Sequence, residues 1–214
     1  MSVLTAHAPQ FATAFGATIV LLVLAWIGAL IVGTGVATMR LSVLRPARAV
    51  GLVYVAVFRN TPLPVQMVLF VFGLPLIGIS YSLFTSAVVV LVIYTAAFVA
   101  ETLLAGVNTV PTGEIEAARA LGFGPMRVLR TIVLPQAFAA VVQPLGNVLI
   151  TMMKNTSVAA IVGVAELTFA ADEVAVQEAS TFVVFGAAII AYLVLGLILG
   201  ACVGSVERKV TSRR

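Results

Sequence analysis

A single histidine, His7, and a single cysteine, Cys202, leave this chain without the His/Cys clusters that bind metals. No nucleophile–base–orienter set stands out either, so a metal enzyme or a membrane enzyme acting on lipid is not expected. Gly28 and Gly33 have the spacing of the two glycines of a phosphate-binding loop, but no Lys-Ser/Thr follows. No site for ATP is therefore expected on this chain. The polar residues that remain fall into two groups. One is an island between apolar segments, Glu116-Ala117-Ala118-x3-Gly122-x9-Ile132-x-Leu134-Pro135, which also carries Arg119, Arg127 and Arg130. The other consists of cations set against apolar runs: Arg59 in Phe58-Arg59-Asn60-Thr61-Pro62-Leu63, and Lys154 in Lys154-Asn155-Thr156-Ser157. A charge at membrane depth is costly enough to point to function.

The elements that position these groups must lie in a bilayer. Hydrophobic residues make up 62% of the 214 and charged ones only 9%, with a mean hydropathy of +1.18. A soluble domain of this size could not hide that much apolar surface. The expected architecture is all-α, with five transmembrane spans near 11–39, 50–79, 84–107, 136–170 and 181–204, in one domain covering 1–214. The first run lacks a preceding Lys or Arg and is long enough to cross a core of about 30 Å, which argues against a cleavable signal. Cys202 falls within the last run.

Basic residues set the direction. With the amino terminus outside and the carboxyl terminus inside, Arg40, Arg45, Arg48, Arg119, Arg127, Arg130, Arg208, Lys209, Arg213 and Arg214 all lie inside. None falls in an outer segment. Glu166, Asp172, Glu173 and Glu178 gather near the outer connection around 165–180.

Within the island, Pro111-Thr112-Gly113 breaks the chain and a helix follows, with Glu114 and Glu116 near its positive end. Gly122-Phe123-Gly124-Pro125 ends that helix, and Pro125 opens a second short one that Pro135 closes. Near Arg59, Asn60 and Thr61 are candidate caps for a helix restarting at Pro62. If 50–58 lies along the interface instead, Arg59 snorkels to the headgroups. The fourth run is too long for one straight span, since Pro135 to Asp172 would be roughly 54 Å of helix. Lys154-Asn155-Thr156-Ser157 is its expected break, because such side chains can satisfy freed backbone groups. Helix starts at breaks of this kind attract anionic substrate groups. The alternative is that Lys154 points to the outer interface or neutralises an acid such as Glu101. Gly196, Gly200 and Gly204 form a smooth face for close packing, within the chain or against another subunit.

The Glu-Ala-Ala, Gly, Ile-x-Leu-Pro spacing, with Arg-Asn-Thr-Pro, Leu134-Pro135-Gln136-Ala137 and Lys-Asn-Thr-Ser, resembles the permease subunits of ATP-binding-cassette importers for polar amino acids. Glutamate- and glutamine-type systems are the nearest in pattern, and the resemblance runs from about residue 16 to 208. It implies a type I importer permease of the bacterial cytoplasmic membrane. The implied partners are a second permease subunit (a homologous chain or another copy), two ATPase subunits carrying ATP and Mg, an extracytoplasmic binding protein and membrane lipid, with no nucleic acid. Five helices enclose too little for a pathway alone, so pairing is expected. The resemblance further implies that the loop 111–135 seats on the ATPase through Glu116, Ala117, Ala118, Gly122, Ile132, Leu134 and Pro135. It implies a substrate site between the helices flanking that loop, with Lys154, Asn155, Thr156 and Ser157 on one side and Thr95 and Phe98 facing them; Arg59, read from its charge in an apolar run, is a further expected pathway residue. Glutamate is the expected substrate, with glutamine or another polar amino acid as the alternative. The Glu in Gly113-Glu114 departs from the usual Gln. An ion-coupled secondary transporter is the competing class, disfavoured by scarce intramembrane acids and the lack of an internal repeat.

Overall fold

A computed structural model describes residues 2–211, and among them every regular element is helical. Arg213 and Arg214, counted above with the inner tail, lie outside the described residues. A short helix α1 (Ser2–Ala6) leads into α2 (Ala8–Leu41), whose 34 residues exceed what a bilayer core requires. Next come α3 (Arg45–Asn60) and α4 (Leu63–Val68), the latter continuing through a π turn and a 3-10 turn to Ile77. The helix α5 (Leu83–Asn108) precedes the island, which holds α6 (Thr112–Ala120) and α7 (Pro125–Val128). Then follow α8 (Leu134–Asn155), α9 (Leu167–Gln177) and α10 (Thr181–Thr211). Among the described residues, four helical stretches are long and apolar enough to cross a membrane, and the bent pair formed by Arg45–Asn60 and Leu63–Ile77 makes up to five.

The centre of the bundle is the pairing of α2 with α5. Along α2, buried Ala25, Ala29, Gly33 and Ala37 recur every four residues, and α5 answers with buried Ala96, Ala97 and Ala100. In lipid, helices associate by close van der Waals approach, and such small-residue rows are what permits it. Gly28 meets Val92 and Gly33 meets Val99, so the two glycines that mimic phosphate-loop spacing serve packing instead. The Gly196 and Gly200 face of α10 is likewise used within the chain, against Met153 and Ile150 of α8.

The expected span 50–79 is not one helix. The chain bends by 103° between Asn60 and Leu63, and α3 turns across the bundle at the level of Arg40 and Glu101. Pro62 cannot continue a hydrogen-bonded turn, which fixes the corner. Asn60 and Thr61 do not cap the new helix. Their side chains donate back to the Ala56 and Val57 carbonyls and so close α3. The stitch across the corner is buried Gln66, whose amide donates to the Phe58 and Thr61 carbonyls at 3.0 Å each.

The fourth span differs too. Pro125 opens a helix that runs on through Val162, so the island holds one short helix and the start of a long one. Pro135 ends nothing. A π turn at Leu129–Val133, with the Leu134 N–H reaching the Leu129 carbonyl, absorbs the proline ring near the start of α8. At Thr156 the α-helix tightens into a 3-10 helix, and the stop comes at Gly163, where φ is +86°. Residues 167–170 therefore belong to α9, not to the span. Glu166, fully buried, caps α9 by accepting from the Phe169 N–H at 2.9 Å and also accepts from the Tyr192 hydroxyl at 2.7 Å.

Helix α9 is tied to the amino end of α2 by His7 to Glu178 at 3.0 Å and Gln10 to Glu173 at 2.8 Å. The island sits at the opposite end, where α5 ends and α8 begins. Thiol labelling tests which end faces out. In a Cys202→Ser background, a cysteine at exposed Asp172 is expected to react with an impermeant reagent, and one at exposed Arg127 is not. Labelling in the reverse pattern would invert the topology.

Candidate functional site

Two regions collect the polar residues singled out in the sequence, and they lie in different parts of the bundle. The first is the island. Helix α6 ends at Ala120 with Leu121 as its cap, and the chain turns at Gly122, where φ is +82°. The Gly122 N–H donates to the Arg119 carbonyl at 2.9 Å and the Phe123 N–H to the Ala118 carbonyl at 3.0 Å, closing the helix end by a left-handed cap. A small apolar core of Val110, Ala118, Val128 and Val133 holds the island together. Ala118 thus faces inward, while Glu116 and Ala117 are exposed. Ile132 is half-buried, and Leu134 and Pro135 are exposed. Glu114, the departure from the usual Gln, accepts a hydrogen bond from Gln136 and ties α6 to the start of α8. Leu121, 77% exposed, and Met126, 58% exposed, flank the Gly122 turn. Large apolar residues exposed at a helix-breaking turn in a polar island are legible in the sequence as an unusual pair, and the motif spacing does not include them.

The second region is a cavity of about 300 Å³ between α5 and α8. Tyr94, Thr95 and Phe98 line it from α5, and Asn147, Thr151 and Asn155 from α8. Of the expected pathway residues, the fold brings together Thr95, Phe98 and Asn155 here, while Arg59 is not part of the lining. Thr156 is buried, its hydroxyl donating to the Met153 carbonyl, and Ser157 donates to the Lys154 carbonyl. Both hydroxyls close the helix on itself and do not line the cavity. Lys154 is exposed beside Asn155, outside the lining, and makes no ion pair among the described residues. Asn147 and Thr151 were missed. Their four-residue spacing with Asn155 puts all three on one face of α8, and that stripe was there to be read.

The lining is neutral, offering two amides, two threonine hydroxyls and a phenol. The Thr95 hydroxyl is buried and lacks a hydrogen-bond partner among the described residues. Buried hydroxyls are seldom left so, and one that lines a cavity is open to a ligand or water. Arg59 approaches from below, its guanidinium 5.7 Å from the centre of the Phe98 ring. Its charge is met by Glu101 at 3.4 Å, and Glu101 also pairs with Arg40. Glu101 is thus taken by two arginines, and Lys154 does not neutralise it.

Residues 29–212 match the family described as the inner membrane component of binding-protein-dependent transport systems. The chain belongs to this family. It is therefore a multi-pass component of a bacterial plasma-membrane transport system. Among curated proteins it is 37% identical to the glutamate transport system permease protein GluC of Corynebacterium efficiens, over 96% of each chain. It is also 37% identical to the probable glutamine ABC transporter permease protein GlnM of Bacillus subtilis, over 98% of this chain and 97% of that one. A solved amino acid ABC transporter with histidines superposes with a TM-score of 0.91 at 32% identity, covering 96% of both chains. The methionine transporter MetNI in an inward-facing form shares the fold, with a TM-score of 0.75 at 22% identity.

Proposed function

We propose that this permease is the membrane subunit of an ATP-driven importer of a polar amino acid, glutamate in preference to glutamine. One observation carries the reading: the cavity between α5 and α8, with neutral hydrogen-bonding groups on both walls and an unpartnered buried hydroxyl. Its volume, about 300 Å³, sits at the small end of ligand sites, suited to a single amino acid. No carboxylate lines it, so a cationic substrate would find no counter-charge. Arg59 behind Phe98 and Lys154 beside Asn155 instead give the surroundings a positive bias. Relatives named for glutamate and for glutamine are equally similar at 37% identity, which supports a polar amino acid without separating the two. The island then docks on a cytoplasmic ATPase chain, which binds ATP and Mg, and an extracytoplasmic binding protein delivers the substrate. A second permease subunit completes the pathway.

Reconstitution tests this. With the ATPase chains and binding protein present, uptake of labelled glutamate into vesicles is expected to require ATP on the ATPase side and to ignore a collapsed ion gradient. Uptake driven by an ion gradient without ATP would replace this reading with a secondary transporter. Asn155→Leu removes a hydrogen-bonding wall residue. A lost hydrogen bond to a charged group is worth about 1.5–3 kcal/mol, so transport at saturating binding protein should weaken roughly ten- to a hundredfold. Lys154→Met, outside the lining, should weaken it less. Equal and full transport by both variants would remove the cavity from the pathway.

A further inference from the structure

Below the first cavity lies a second, of about 320 Å³, lined by Arg59, Glu101, Thr102, Thr109, Ala140 and Pro144 among others. We propose that it is a second binding station for a zwitterionic α-amino acid, entered from the first cavity past Phe98. The ligand class rests on the proposed function; the site rests on charge and geometry.

The cavity is built around an uneven count of charges. Arg40 and Arg59 share Glu101, leaving one positive charge in excess. Arg40 takes one carboxylate oxygen and is mostly buried, while Arg59 makes a longer contact of 3.4 Å with the other and is 48% exposed. The carboxylate is already matched by Arg40, so Arg59 is the cation left over. A guanidinium has five N–H donors in a planar fork, and a single contact to Glu101 leaves most of them open to a second, bidentate carboxylate.

The opposite wall offers what an ammonium needs. Pro144 lies inside α8 and has no N–H to give the carbonyl four residues back, that of Ala140. Both residues line the cavity together with Glu101. A ligand α-carboxylate that takes over Arg59 would release the Glu101 oxygen now 3.4 Å from it, and an α-ammonium could sit on that oxygen and the Ala140 carbonyl while Arg40 keeps the other oxygen. Phe98 separates the two chambers: it lines the first, and Arg59 stacks on it from the second. A carboxylate arriving in the first cavity is thus drawn toward Arg59, and that pull favours passage beyond the ring.

Equilibrium binding to the assembled transporter in nanodiscs, without ATP, tests the proposal with labelled L-glutamate and L-glutamine. Wild type is expected to bind twice as much per permease chain at saturation as either Arg59→Gln or Asn155→Leu, with Arg59→Lys retaining most of the binding. Glutarate, which lacks the ammonium, should displace label poorly from the Asn155→Leu form. Full binding by Arg59→Gln alongside reduced binding by Asn155→Leu would overturn the inner station and leave the outer cavity standing. Full binding by Asn155→Leu with a loss in Arg59→Gln would do the opposite. If Arg59→Gln does not assemble, Ala105→Phe decides, because Ala105 lines the same cavity and its replacement fills it with the charges intact. Unchanged binding by Ala105→Phe would overturn the proposal.

Discussion

Gly122→Val is expected to abolish uptake while the chain still inserts in the membrane. At φ +82° a glycine is unstrained, whereas a β-branched residue there stores about 1–3 kcal/mol of backbone strain. The space around the position is open, with no atom beyond the chain neighbours within 4 Å of where a Cβ would stand, so an added Cβ meets no packed wall. The damage is confined to the turn. Relaxing it would unseat the cap formed by the Gly122 and Phe123 N–H groups and re-aim Glu116, Ala117 and Leu121, the exposed face of α6. Gly122→Asn, which tolerates the left-handed region, should keep a substantial part of the activity. Glu116→Lys, reversing an exposed charge on the proposed ATPase contact, should weaken co-purification of the ATPase with the turn intact. Membrane extraction, co-purification and ATP-dependent uptake read these outcomes separately. Full uptake by Gly122→Val would deny the island a coupling role.

Much of this was legible beforehand because bilayer physics constrains a sequence strongly. The apolar runs, the corner at Arg59 and the glycine turn at Gly122 could be read from residue type alone. What sequence could not supply was the partner of each polar group. Asn60 and Thr61 read as caps of the next helix, yet Gln66 performs the stitching, because a side chain long enough to reach back across a 103° bend competes with nearer ones. Lys154-Asn155-Thr156-Ser157 read as a break, but hydroxyls returning to i−3 carbonyls are as compatible with a tightened 3-10 turn. Gly163 made the real stop. Ala117 and Ala118 look equivalent in sequence, and only the island's own core distinguishes the buried one from the exposed one. In the cavity, Asn155 stands in a recognisable motif, while Asn147 and Thr151, on the same helical face, belong to none. A periodic polar stripe within an apolar helix carries as much information as a motif.

Gly33→Leu is expected to prevent stable assembly of the chain, whereas Gly35→Leu, two residues away, is expected to be nearly silent. A Cβ at Gly33 would stand 2.7 Å from the Val99 Cβ and 2.9 Å from the Ala96 carbonyl oxygen. Neither can swing aside, because one is at the root of a β-branched side chain and the other is backbone of a central helix. Even Gly33→Ala must push α2 and α5 apart, and overpacking of this kind costs about 1–3 kcal/mol. Leucine adds three more carbons to the same gap. Separation at this level would spread along the row of Ala25, Ala29 and Ala37, all buried against α5 or its neighbours, because rigid helices cannot part at one point only. Gly28→Ala should be milder. Its Cβ would meet a Val92 methyl at 2.5 Å, the tip of a side chain that can rotate. Gly35 is exposed and has nothing within 4 Å, so its side chain would project away from the bundle, where leucine meets no packed neighbour of this chain. Purified-complex yield and thermal midpoint should therefore fall in the order Gly35→Leu, Gly28→Ala, Gly33→Ala, Gly33→Leu. A midpoint for Gly33→Ala equal to that of Gly35→Leu would mean that α2 and α5 are not held together by this contact.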